Sequence, residues 1–279
     1  MRLQPVTVSI VIYKTRLSDV YDLFTVLRSH ELVESWVVVD NDASDAVREA
    51  VEEAGGIYVR TGKNIGFGAG HNVALKFLDS SACPYHIILN PDIKFDGSRL
   101  ERLIEVMELQ PDIGLLMPKV VYPDGRNQYL CKLLPTPADL LLRRFLPRRF
   151  SSLARKRTAR YELHSLDYNA PAYVPSLSGC FMLLRMSVLK AVGGFDERFF
   201  LYMEDVDLCR RISTVSRLLY WPGVTVEHTH QMGSYRSKKL LFLHIRSAIQ
   251  YFNKWGWVVD TYRGRTNRIA LAEVNNRQK

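Results

Sequence analysis

No stretch of this sequence approaches the roughly 18 consecutive apolar residues that a membrane-spanning helix needs. The apolar run nearest the N-terminus, Val6 to Tyr13, is short and β-branched, so no signal peptide is expected and any membrane contact should be peripheral. Cysteine is scarce as well. Cys83, Cys131, Cys180 and Cys209 show no CxxC spacing, which argues against a disulfide framework or a structural zinc site and fits a reducing cytosol. No internal repeat is present. Acids are nearly absent from two segments: residues 132–160 hold nine Lys/Arg and only Asp139, and residues 236–279 hold ten against Asp260 and Glu273. Each carries +8, so within a total of +9 the remainder is −7. That distribution speaks against a nucleic-acid-binding protein, because the excess charge lies outside the motif-bearing region and no recognition motif accompanies it.

What remains is a chain of 279 residues, 47% hydrophobic, able to bury a substantial core. Val6 to Tyr13 (VTVSIVIY) has the continuous β-branched character of a strand buried on both faces. Val20, Leu23, Phe24 and Leu27 then repeat at helical spacing. A strand at Trp36 to Val39, a helix from about Asp45 to Ala54 and a strand at Ile57 to Arg60 continue the alternation. The Gly-rich NIGFGAGHN opens a further helix, Tyr85 to Leu89 is a strand, and a helix near Ser98 to Leu109 leads to a strand at Gly114 to Val121. Strand–helix alternation of this kind predicts an α/β layered domain with a mostly parallel central sheet flanked by helices. Regularity then fades. Residues 132–170 read as a short amphipathic basic element or a mobile insertion around Leu140 to Phe150. Order returns in a strand at Tyr173 to Leu184 that Ser178-Gly179-Cys180 interrupts, in a turn at Gly193-Gly194-Phe195-Asp196, and in a helix from Ser237 to Trp257.

Ligand sites in open α/β sheets lie off the carboxyl ends of the strands, where Asp40, the Asn64 loop and Asp92 should gather. Asp40 can simply satisfy its own turn, since DNDAS is a good capping sequence; alternatively it accepts the N3 proton of a uracil or thymine, with Tyr13 offering the base an aromatic face. The Gly66, Gly68, Gly70 loop is no dinucleotide fingerprint, because it follows a later strand than that motif requires. Asn90-Pro91-Asp92 fixes one carboxylate at a strand end, and one is enough for Mg2+ or Mn2+ when a diphosphate supplies the other oxygens. His228 or His230 could complete that site as neutral imidazole, and His228 is the expected one. In FFLYMEDVDLCRR, pairing with Arg211 at i, i+4 accounts for Asp207. It leaves Glu204 and Asp205 beside apolar and aromatic surface, where a carboxylate is costly unless hydrogen-bonded or engaged in chemistry.

The ordered series VSIVIY, VVVDNDAS, NIGFGAGHN, ILNPD, SGCFMLLR, VGGFDERFFLYMEDVDLCRR and VEHTH, over about residues 6–235, resembles glycosyltransferase family 2, specifically its rhamnosyltransferase-like branch. The resemblance implies a GT-A type, Rossmann-like nucleotide-sugar-binding fold and a divalent metal, Mg2+ or Mn2+. It further implies that Asp40 reads the nucleobase of a dTDP- or UDP-sugar. Tyr13, Asn64, Gly66, Phe67, Asn72, Asn90 and Gly179 would contact that donor, Gly179 by leaving room for the sugar. Asp92 and His228 would hold the metal, Asp205 would be the catalytic base, and Glu204 would orient it or an acceptor hydroxyl.

Two departures matter: the common DxD is here NPD, so one carboxylate is assured at the metal, and the QxxRW of processive synthases is missing. The expected activity is therefore non-processive transfer of one sugar, with inversion; that the sugar is L-rhamnose from dTDP-rhamnose is implied by the resemblance alone. Other donors (galactofuranose, glucose, N-acetylglucosamine) and a catalytically silent nucleotide-sugar-binding protein stay open. The acceptor implied is a saccharide on a polyprenyl diphosphate, in bacterial cell-surface polysaccharide synthesis, with the enzyme in the cytoplasm at the inner face of the membrane and its basic segments against anionic lipid. Residues 1–235 should form the catalytic domain and residues 236–279 a basic helical extension.

Overall fold

A computed structural model of the chain describes residues 3–42, 45–78, 83–140, 151–229 and 237–276. The strands are β1 (Val6–Ile12), β2 (Val33–Asp40), β3 (Ile57–Arg60), β4 (Tyr85–Leu89), β5 (Ile93–Lys94), β6 (Ile113–Val121), β7 (Ala172–Tyr173), β8 (Phe181–Arg185) and β9 (Arg217–His228). They form one sheet in the order β3-β2-β1-β4-β8-β6-β9-β5, with β7 also on β9. The helices are α1 (Leu17–Ser29), α2 (Arg48–Glu53), α3 (Phe67–Ala74), α4 (Leu100–Leu109), α5 (Ser151–Tyr161), α6 (Met186–Ala191), α7 (Glu204–Ile212), α8 (Lys238–Trp255) and α9 (Thr261–Asn276).

Hydrophobic patterning accounts for the N-terminal half. Every residue of β1 is buried, as its unbroken β-branched run requires of a central parallel strand, and α1 buries Val20, Leu23, Phe24 and Leu27. The parallel order holds across β3-β2-β1-β4. Beyond β4 the sheet turns mixed: β8 runs antiparallel to both β4 and β6, while β6 and β9 pair in parallel. The interrupted strand expected at Tyr173 to Leu184 is two separate strands, β7 on β9 and β8 between β4 and β6, so the Ser178-Gly179-Cys180 link crosses the sheet's end. Residues 151–161 are helical where a basic element or mobile loop is expected; the stretch 141–150 and His230 lie outside the described residues.

The C-terminal helices are docked on this unit. Tyr251 and Phe252 of α8 pack with Leu134, Phe199, Met203 and Val206, and Ala270 and Val274 of α9 join the main core. Among the described residues no helix is long and apolar enough to cross a membrane.

Candidate active site

Strand register assembles the site. Ile12 pairs with Asp40 and Ile10 with Leu89, so Tyr13, Asp40 and Asn90 come off the same edge of the sheet. Leu89 also pairs with Phe181 across β4 and β8, and the Asn90 amide donates to the Cys180 carbonyl (2.9 Å), which brings the Ser178–Cys180 link beside Asn90. Pairing of Ile93 with His228 places Asp92 against the end of β9, where its carbonyl accepts from Thr229 N. Asp92 Oδ1 stands 3.3 Å from His228 Nε2, with the Asn90 amide nitrogen 3.4 Å from the same ring atom. Two residues more than a hundred positions apart are thus joined by backbone pairing alone.

Gln128 fixes the tautomer of His228. Its amide nitrogen donates to the His228 carbonyl (2.6 Å) and to the Val121 carbonyl (3.3 Å), because the opposite orientation would set oxygen against oxygen. Its Oε1 must therefore accept from His228 Nδ1 (2.9 Å). In the neutral ring this leaves the Nε2 lone pair on the side of Asp92. An unprotonated ring nitrogen and a carboxylate oxygen side by side, with the other ring N–H held by an amide oxygen, suit a divalent cation. No cluster of three or more His, Cys, Asp or Glu ligands is present among the described residues, so the remaining positions would fall to substrate or water.

Opposite stands the start of α7. Tyr202 and Met203 both take left-handed backbone (φ 68° each), and the helix begins at Glu204. Such conformations cost about 1–3 kcal/mol apiece and persist where surrounding packing dictates them. They turn Asp205 toward Gly179, whose N–H donates to Asp205 Oδ2 (3.2 Å), while Oδ1 accepts from Val206 N (2.8 Å). A Cβ at Gly179 would lie 3.2 Å from the Phe67 ring and 3.4 Å from Asp205 Cβ, so glycine keeps that approach open. Glu204 turns inward and is buried; its Oε2 has no hydrogen-bond partner among the described residues. Burial, reinforced by the charge on Asp205, pushes the Glu204 carboxyl up to about 8. Asp207 is structural, as its spacing predicts: one oxygen accepts from Arg211 Nε (2.8 Å), the other from Trp255 Nε1 and Lys254 Nζ (2.7 Å each).

Asn90, Gly179, Glu204, Asp205 and His228 line a single cleft of about 830 Å³, with Phe67, Lys132, Tyr129, Tyr202 and His244 among its other walls. The Gly-rich loop links this cleft to Asp40. Phe67 N donates to the Phe200 carbonyl (3.0 Å), and Gly66 (φ 98°) must be glycine, since a Cβ there would meet that same carbonyl oxygen. Asn41, next to Asp40, donates to the Gly66 carbonyl (3.0 Å).

Residues 8–193 of the chain match the model for glycosyl transferase family 2. The chain belongs to glycosyl transferase family 2. Similar to it is an N-acetylglucosaminyl-diphospho-decaprenol L-rhamnosyltransferase of Mycobacterium tuberculosis, 30% identical over 211 residues, 70% of this chain and 66% of the relative. The rhamnosyltransferase WbbL of Escherichia coli K12 is 26% identical over 77% of this chain and 80% of its own. The chain thus spans 66% of the mycobacterial relative's length. A mannosyltransferase from Pyrobaculum calidifontis, solved with GDP-mannose and Mn2+, shares the fold with a TM-score of 0.58 at 16% identity, over 99% of this chain and 76% of that one. GalNAc-T7, solved with UDP, GalNAc and Mn2+, gives 0.61 at 12% identity, over 88% of this chain and 48% of that one. The GT-A-like fold expected from the motifs is the fold found.

Within this family 2 chain several expected donor contacts have local tasks. Asn72 clamps the Phe195 backbone, its oxygen accepting from Phe195 N (2.9 Å) and its nitrogen donating to Phe195 O (2.8 Å). Asn64 Oδ1 accepts from Gly66 N (2.9 Å) inside the loop. Asp40 is nearly closed to solvent; its carboxylate accepts from Asp42 N and from the Tyr58 hydroxyl (2.8 Å each), and burial with that bond drives the phenol well above its ordinary value. Tyr13 is half exposed. The sequence reading missed Gln128 and Tyr58. It also missed a buried polar chain: Ser9 Oγ contacts His71 Nδ1 (2.7 Å) and His86 Nε2 (2.9 Å), and Thr7 Oγ1 contacts His86 Nδ1 (2.8 Å). Burial depresses both imidazoles, His86 to about 3, so the chain is neutral and ties α3 beneath the loop to β1 and β4. Thr7 and Ser9 alternating inside a buried strand were the signal that could have revealed it.

Proposed function

We propose that this chain is an inverting, metal-dependent, non-processive glycosyltransferase that moves one sugar, L-rhamnose from dTDP-rhamnose, to a hydroxyl of a saccharide acceptor. The observation that carries the reading is the shared cleft, in which Asp205 and His228 both open while Asp92 stands 3.3 Å from His228. The rhamnosyl donor and a polyprenyl-diphosphate-linked acceptor draw support from the names of the bacterial relatives. A place in cell-surface polysaccharide synthesis and a peripheral position at the inner face of the membrane belong to the same reading.

Asp92 and His228 would hold Mg2+ or Mn2+, and the cation would offset negative charge gathering on the departing nucleoside diphosphate. The chain's own residues supply the rest. Asp205, positioned by Gly179 N and Val206 N, takes the proton of the acceptor hydroxyl as its oxygen bonds to the anomeric carbon. The bond from that carbon to the diphosphate oxygen breaks in the same displacement, its electron pair leaves with the diphosphate, and the anomeric centre inverts. Glu204 stays protonated at neutral pH, so it is no second base, and its inward-turned neutral carboxyl supports the turn that carries Asp205.

Asp205→Asn keeps the size and removes the base. Transfer from dTDP-rhamnose should fall roughly 10²–10⁴-fold with donor affinity unchanged. Wild-type turnover in that variant rejects the assignment. Success of another activated sugar where dTDP-rhamnose fails removes the rhamnosyl label and keeps the chemistry.

A further inference from the structure

We propose that the outward face of α8 and the loop after it dock on an anionic lipid surface. An amphipathic helix on a soluble domain turns its polar side to water, and α8 does the reverse along one line. Lys238, Lys239, Phe242, Ile245, Arg246, Ile249 and Asn253 are all exposed, and at 3.6 residues per turn they fall within an arc of about 120°. Phe242 is 65% exposed, and Ile245 and Ile249 continue its row at helical spacing. Lys238, Lys239 and Arg246 flank that row, none in an ion pair with a described residue, and no acid occurs between Lys238 and Val259.

The patch is built rather than frayed. Trp257 extends it past the helix end, its indole N–H donating to Asn253 Oδ1 (2.9 Å), and Val258 and Val259 follow at 87% and 82% exposure. Buried Arg263 holds that loop from behind by donating to the carbonyls of Gly256, Trp257 and Val258 (3.3–3.4 Å). A short apolar ridge ending in a tryptophan, edged by cations, matches the interface of an anionic bilayer, where the chains reach just below the headgroups and each cation gains from the surface potential. A second copy of the chain fits less well, because a twofold contact would set these cations against their own kind.

The inner side of the same helix gives the orientation meaning. His244 lines the cleft, its ring 4.7 Å from that of Tyr202, and Ser247 Oγ donates to the Leu201 carbonyl (2.8 Å). Docking through the outer face brings the cleft close to the bilayer, within reach of a hydroxyl on a lipid-anchored saccharide. Only this last consequence rests on the transferase reading.

Vesicle flotation tests it, with phosphatidylcholine alone against phosphatidylcholine containing phosphatidylglycerol. The full chain should float with the anionic vesicles only. At about fivefold per cation, Lys238→Glu with Arg246→Glu should lower vesicle affinity about 25-fold or more. Phe242→Ser with Ile249→Ser should do likewise at unchanged charge. Neither pair touches the site, so metal-dependent hydrolysis of dTDP-rhamnose and the circular-dichroism melt should stay as in wild type. Equal flotation on both vesicle types, or wild-type flotation by either variant, overturns the proposal. So does a wild-type dimer that ignores vesicles and becomes monomeric in the apolar variant, since the face then covers itself. A chain that floats yet turns over no activated sugar removes the transferase reading and leaves the docking face; turnover without flotation does the opposite.

Discussion

Gln128 is expected to govern metal affinity without being a ligand. In Gln128→Leu three hydrogen bonds vanish, those from its amide nitrogen to the His228 and Val121 carbonyls and the one it accepts from His228 Nδ1. The two groups orphaned on buried His228 cost about 1–3 kcal/mol each, so the fold should lose roughly 2–6 kcal/mol. The ring is then free to turn or to carry its proton on Nε2, the atom facing Asp92. Loss of such an orienting partner lowers metal affinity by about 10–100-fold. Calorimetric titration of MnCl2 into the chain saturated with dTDP measures this directly, without turnover. Gln128→Glu separates the two effects. Its carboxylate still accepts from Nδ1 and so keeps Nε2 unprotonated, but it faces the carbonyls of His228 and Val121 with no proton to give. It should be destabilised like the leucine variant while binding Mn2+ close to wild type. A folded leucine variant whose Mn2+ affinity is within twofold of wild type would refute the tautomer argument.

Glu204 makes stability depend on pH. Its carboxyl titrates near 8 when folded and near the ordinary glutamate value when unfolded, so between about pH 5 and 8 the native state holds the extra proton and stability falls as pH rises. Melting of Glu204→Gln should match wild type at pH 5 and exceed it at pH 9; parallel curves at both pH values contradict the buried neutral acid. Arg210 forks onto Asp260 (2.6 and 2.8 Å) with both side chains buried, and it lies 4.2 Å over the Trp255 ring. Arg210→Met leaves a buried carboxylate with its main partner removed and should cost about 3–5 kcal/mol, lowering Tm by roughly 10 °C in a thermal melt. An unchanged Tm would mean that the Arg210–Asp260 pair does not anchor the start of α9 to α7.

Much of the N-terminal half could be read from local pattern, because β1 and α1 each have a period that one window reveals: the apolar residues at helical spacing in α1 are the very ones it buries. Which strands become neighbours is not a local property. The antiparallel entry of β8 between β4 and β6 depends on a long connection, and β5 and β7, two residues each, are too short for any period to register. For another reason α5 is not legible as a helix, and α9 is legible only as part of the basic helical extension expected over residues 236–279. α5 is strongly basic, and α9 buries Arg263, Ala270 and Val274, too few apolar side chains to draw a stripe. At the site, acids at strand and helix ends stood out by composition, whereas Gln128 belongs to a segment without regular pattern and meets its partner 100 positions away. Asn72, conspicuous in its Gly-rich motif, turned out to clamp Phe195.

The neighbouring acids Glu204 and Asp205 are driven apart by the turn that precedes them. Left-handed Tyr202 and Met203 send one carboxyl inward, where burial keeps it protonated, and the other to the Gly179 amide at the cleft. That strained turn is held from three sides: Phe67 N on the Phe200 carbonyl, Ser247 Oγ on the Leu201 carbonyl, and Met203 packed with Tyr251 and Phe252. Two of the three supports belong to α8, and Lys254 and Trp255 from the same helix fix Asp207 one turn into α7. A chain cut before α8 would therefore lose the geometry of Asp205 along with any lipid contact, and its inactivity would say nothing about membranes. Only substitutions on the outer arc, at Lys238, Phe242, Arg246 and Ile249, separate the helix's hold on the turn before Asp205 from what it presents to the outside.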